Sequence, residues 1–255
     1  EGLDLDSRWK ERIWLIGLPD LMKRILRWVG SSDEELVISL LSMHIIRMVA
    51  PYLRPTIREA YFKLYGTAIK GIITEPPREL RMLSDIQEIL PDVLCILYSR
   101  GHRDKSTLAN IRNLTAHLRN SAVELMSETD QFSKVTRSKI KEKLHRIKFE
   151  LGKTSSIQVP DITYNPESLF HTILSVHNAR NKQTLAFAGK PATCIVSTYP
   201  CFITNASYFE ESNHIVIPWG ILQWPFYHKN AALGWNHGGI GATICHEMVH
   251  AFDLE

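Results

Sequence analysis

Apolar residues recur at helical spacing through most of the first 150 positions, with polar residues between them. After a break at Pro19, Leu21, Ile25, Leu26 and Trp28 fall on one side of a helix. The stretch SSDEELVISLLSMHIIRMVAPYL opens with serines suited to capping and with acidic residues that the helix dipole favours. Its helix is expected to end before Pro51. TIREAYFKLYGTAIKG places Ile57, Tyr61, Leu64 and Tyr65 at the same spacing, and TLANIRNLTAHLRNSAVELMSE does so with Leu108, Ile111, Leu114, Leu118 and Val123. TRSKIKEKLHRIKFELG reads as a basic amphipathic helix closed by Gly152, its charged side a solvated face. The leucines and tyrosines of these helices are expected to be core.

The pattern changes after Gly152. KTSSIQVPDITYNPES carries the turn residues of a connection. From Thr193 onward β-branched and aromatic residues take over in TCIVSTYPCFITNASYF, then polar EESN, then HIVIP, which predicts a hairpin or two nearby strands. HKNAALGWNHGG reads as a loop, and a last helix opens at about Gly239. The expected fold class is therefore mainly α, with a β-containing region near the C-terminus.

Composition narrows the function classes. The chain has 255 residues, 44% hydrophobic and 22% charged, as a globular protein does. A formal charge of +3 with scattered Lys and Arg gives no reason to expect a nucleic-acid partner. The apolar run from Leu36 to Ala50 is interrupted by His44 and Arg47, so no segment is expected to span a bilayer. Cys95, Cys194, Cys201 and Cys245 lack the C-x-x-C spacing of a cysteine zinc site, and two disulfides or buried thiols both fit them. Asn113 and Asn205 head N-x-S/T triplets.

The chemistry concentrates in C-H-E-M-V-H-A-F-D-L-E, Cys245 to Glu255. Histidines at i and i+4 project from one helix face one turn apart, so His246 and His250 can grip one metal ion. Glu247 lies close enough to take a proton from a water on that metal, which makes a zinc hydrolase the leading reading over satisfied core histidines. His214 and His237 are the other histidines near in sequence.

The stretch ITNASYFEESNHIVIPWGILQWPFY, followed after a short loop by GGIGATICHEMVHAFD, resembles the neprilysin and endothelin-converting-enzyme family of zinc metallopeptidases. That family carries N-A-x-Y, then I-V-F-P-A-G-I-L-Q-x-P-F, then G-G-I-G-x-x-x-x-H-E-x-x-H-x-F-D. The resemblance implies a zinc metalloendopeptidase of oligopeptides holding one Zn2+, with His246 and His250 as ligands and Glu247 as general base. It implies that Asn205 and Ala206 bind substrate backbone along an edge strand, with Asn205 unglycosylated. Asp253 would be a support behind the ligands or a purely structural residue.

The resemblance also implies an architecture: a helical lobe over residues 1–155, a connecting segment over 156–192, and the start of a thermolysin-like α+β catalytic lobe over 193–255. It implies an extracellular protein, secreted or the ectodomain of a type II membrane protein anchored through a segment outside this chain. The family's third zinc ligand is the glutamate of a later E-x-x-x-D, and the chain is expected to be an inactive fragment without it. Glu88 to Asp92 has that spacing but precedes the histidines and contains Pro91. The alternative is a catalytically inactive peptide-binding or regulatory relative. Trp219 and Trp224 stand where the family has alanine and proline, and Cys245 where it has glycine, as a ligand or a packing residue. Met82 stands where the family's helical lobe has a cysteine tied to the catalytic lobe.

Overall fold

The computed structural model describes residues 18–152, 161–186 and 199–252. Helices dominate, joined by a small mixed sheet, which is the expected class. In chain order they are α1 (Pro19–Ser31), α2 (Glu34–Val49), α3 (Pro55–Tyr61), α4 (Arg78–Ile89), α5 (Pro91–His102), α6 (Lys105–Glu128) and α7 (Lys134–Arg146). Then follow β1 (Lys148–Leu151), α8 (Leu169–Ala186), β2 (Ser207–Phe209), β3 (His214–Ile217), α9 (Leu233–Asn236) and α10 (Ala242–Val249). The chain divides into two compact units, residues 1–85 with 160–189, and residues 86–159 with 190–255.

In the first unit, α2 runs into a 3-10 turn at Ala50–Tyr52, and α3 continues as a π-helix at Phe62–Ile69. Glu75 pairs with Arg58 and Arg81. The expectation that helical leucines are core fails here. Neither α1 nor α2 has a buried residue, and Leu41, Met43 and Ile45 are largely exposed. Amphipathic spacing specifies a face to be covered, and among the described residues no second layer covers these. Because the helix continues past Ala50, Glu34–Tyr52 reaches 19 residues at mean hydropathy 1.3. That is long and apolar enough to cross a membrane by length and composition alone, a test that core helices of soluble proteins also pass. The connecting segment holds a full helix, α8, whose start is organised by Thr172 and Asn165: the Asn165 N–H donates to Thr172 Oγ1.

The second unit carries the core. Asp104 caps α6 by accepting from the Ser106 N–H, and Ser133 caps α7 by accepting from the Thr136 N–H. Its hydrogen bonds with Ser106, helped by Lys229, lower the Asp104 carboxyl to about 2. Here α6 behaves as its spacing predicts. Ile111 is fully buried, while Leu108, Leu114, Leu118 and Val123 pack partly buried against the core.

The basic helix is shorter than expected. It ends at Arg146, and Lys148–Leu151 turns extended to form β1. Gly152 therefore closes a strand at φ +57° and does not cap a helix. The sheet order is β1-β3-β2, with β1 parallel and β2 antiparallel to β3. Register places Phe149 beside Ile215 and Leu151 beside Ile217 on one side, and Tyr208 beside Ile215 on the other. Central β3 is apolar at Ile215, Val216 and Ile217 because it is covered on both faces. The predicted hairpin is β2 and β3, turned by Asn213 in the left-handed region.

Candidate active site

The glycine-rich run before the last helix is read by packing. His237–Gly241 forms a π-helical turn that leads into α10. A Cβ on Gly239 would lie 2.3 Å from the Phe226 carbonyl oxygen, so only glycine allows this approach. Ile240 and Ile244 are fully buried and Met248 nearly so, which fixes the rotation of α10 against the core.

That rotation places the motif. His246 is exposed, His250 is half-buried at the helix end, and Glu247 is 5% exposed. Glu247 is the one buried carboxylate among the described residues, an expensive placement for a charge without a partner. One ligand atom from each of His246, Glu247 and His250 lies within 4.8 Å of the others. The two Nε2 atoms are 3.0 Å apart, with the rings crossed at 85°. Two nitrogens on a tetrahedral zinc, each about 2.0–2.1 Å from it, sit about 3.3–3.4 Å apart. A few tenths of an ångström of opening therefore admits the ion, and the paired imidazoles suit zinc.

Asn205 is exposed and Ala206 buried, immediately ahead of edge strand β2. The Tyr199 hydroxyl donates to the Ala206 carbonyl at 3.4 Å. Asp253 and Glu255 lie outside the described residues. Cys245 is outside the metal-capable group and packs half-buried against the core, where burial pushes its thiol pKa up. His214 sits 3.7 Å from Glu150, and His237 Nδ1 donates to the Leu233 carbonyl and its ring meets His117 edge-on, so neither joins the motif. Pro91 separates Glu88 on α4 from Asp92 on α5, so that E-x-x-x-D spans a helix break.

Sequence reasoning missed Lys143. It was placed on a solvated basic face, yet its ammonium donates to the Ala251 carbonyl just past His250 and lies near the rings of Tyr208 and Phe252. Its own carbonyl accepts from Asn213 Nδ2. No local pattern distinguishes it from its neighbouring lysines. A cavity of about 760 Å³ is lined by α7 from Lys139 to Arg146 and by Ser212 and Asn213, with no residue of the motif.

Two family models, both described as Peptidase family M13, match residues 6–154 and 205–255. The chain is 26% identical to the neutral endopeptidase of Lactobacillus helveticus over 92% of its own length and 38% of that protein's. It is 25% identical to membrane metallo-endopeptidase-like 1 of Mus musculus over 74% of its length and 26% of that protein's. Zinc metalloprotease Zmp1 of Mycobacterium tuberculosis, solved with an inhibitor, superposes with a TM-score of 0.84 at 26% identity. That match covers 92% of this chain and 36% of the other. The chain thus spans well under half the length of these relatives.

Proposed function

Because the chain belongs to peptidase family M13, we propose that it contributes part of the active site of a zinc-dependent metalloendopeptidase that hydrolyses peptide bonds in oligopeptides. The observation that carries this reading is the buried Glu247 carboxylate beside the paired His246 and His250 imidazoles. His246 and His250 would hold one zinc ion. When bound, zinc lowers the pKa of water and polarises a substrate carbonyl. Glu247 takes a proton from the attacking water and returns it to the leaving amine. Asn205 and Ala206 hydrogen-bond the substrate backbone as it adds along the β2 edge. Asp253 supports the ligands from behind or serves only the local structure.

Two imidazoles and this carboxylate fall short of the three ligands of a zinc site, since Glu247 acts as base. His246 and His250 alone would hold zinc weakly. The division into a helical lobe at 1–155, a connection at 156–192 and the start of a catalytic lobe at 193–255 is supported by family matches that fall on either side of the connection. Extracellular placement is supported by a relative named as a membrane metallo-endopeptidase. An inactive peptide-binding relative would have no use for a buried Glu247.

The test is cleavage of an internally quenched peptide by the protein carrying this sequence, with zinc measured in the same sample. Glu247→Gln should abolish turnover and leave the zinc content intact. Undiminished turnover in that variant would overturn the assignment.

A further inference from the structure

Cys95 on α5 and Cys201 in the loop ahead of β2 are 2% and 0% exposed and meet across 106 positions of chain. The Cys201 N–H donates to Cys95 Sγ at 2.7 Å, and Cys201 Sγ lies 3.5 Å from the Cys95 carbonyl oxygen. With ordinary bond lengths, the first contact alone puts the two Cα atoms no more than about 7 Å apart, within the limit for a bridge. The surroundings already hold these segments together. Gly220 N–H donates to the Cys201 carbonyl at 2.9 Å, Phe202 meets Tyr98 of α5 edge-on at 6.4 Å, and Gln223 donates to the Tyr98 hydroxyl.

We propose that Cys95 and Cys201 form a disulfide that ties α5 to the segment leading into Asn205 and Ala206. Neither the local spacing of these cysteines nor the peptidase reading calls for it, and the proposal stands independently of that reading. Cys245 sits on α10, away from the direct contact between Cys95 and Cys201. Formation breaks two S–H bonds and makes one S–S bond. The two electrons reduce a small-molecule disulfide such as oxidised glutathione to two thiols, which take up the two protons. Attack by one thiolate gives a mixed disulfide, and the second sulfur displaces the small thiol. Because both sulfurs end in the core, the exchange belongs to folding, before the loop closes over α5.

The protein is refolded in a glutathione redox buffer and, in parallel, in excess dithiothreitol, then alkylated under denaturing conditions and mapped by mass spectrometry. After alkylation the glutathione sample should carry two fewer alkyl groups than the reduced sample and yield one linked peptide pair containing Cys95 and Cys201. Its melting temperature should exceed that of the reduced sample by roughly 5–15 °C, as expected for closing a loop of this size. Cys95→Ser and Cys201→Ser should each remove the linked pair. Complete alkylation of both cysteines after refolding with glutathione, or linkage of either to Cys194 or Cys245, would overturn the proposal.

Discussion

Replacing Gly152 with alanine tests how the sheet is closed at the end of β1. Gly152 sits at φ +57°, and its N–H donates to the Ile217 carbonyl at 2.8 Å. An L-residue in this region costs roughly 1–2 kcal/mol. The new methyl would also lie 2.7 Å from Trp219 Cε2 and 2.8 Å from Leu108 Cδ2. Carbon contacts prefer about 3.5–4.0 Å, so the buried indole and the leucine must retreat, at roughly 1–3 kcal/mol. Together these give a loss of roughly 2–5 kcal/mol, read as a fall of roughly 1–2 M in the urea midpoint. The indole's share is separable. Trp219→Ala alone should cost roughly 3–5 kcal/mol. In that background Gly152→Ala should lose the indole clash and cost roughly 1–2 kcal/mol less than in the parent. An unchanged midpoint, or an equal cost in both backgrounds, would refute the account of Trp219 filling the space that Gly152 leaves.

Lys143→Met should remove the charged hydrogen bond to Ala251 and cost roughly 1–2 kcal/mol, seen as faster amide exchange at the end of α10 than elsewhere. Exchange that rises uniformly, or not at all, would count against a local role. Asp104→Ala should lower the melting temperature at neutral pH. A carboxyl depressed from 3.8 to about 2 stabilises the fold fully above 3.8 and loses that contribution as pH falls toward about 2. The difference between Asp104→Ala and the parent should therefore shrink across that window, and a gap that stays constant through it would contradict the capping role. For residues 1–255, isothermal titration with zinc should show weak binding that His246→Ala and His250→Ala abolish and Glu247→Gln keeps; tight binding would contradict a two-histidine site.

Spacing was a good guide wherever one face of an element meets the core. The helical register of α6, the hairpin across Glu210–Asn213 and the one-turn separation of His246 and His250 were all legible, because periodicity encodes which side is buried. It was a poor guide at α8, where apolar residues show little helical periodicity, and at β1, which the basic helix ran over. Lys148–Leu151 is extended because β3 offers it a parallel partner far along the chain, and no local preference foretells that pairing.

By itself, then, the sequence determined the mainly helical class and the metal motif, since these depend on neighbours within a few residues. Tertiary structure alone decided that Glu247 is buried, that Lys143 reaches across to Ala251 and that Cys95 meets Cys201. Each of those facts joins residues from different elements, or sets one residue against the packed core. Long-range contacts arise from the closing of the whole fold, and the local pattern of residues carries no record of them.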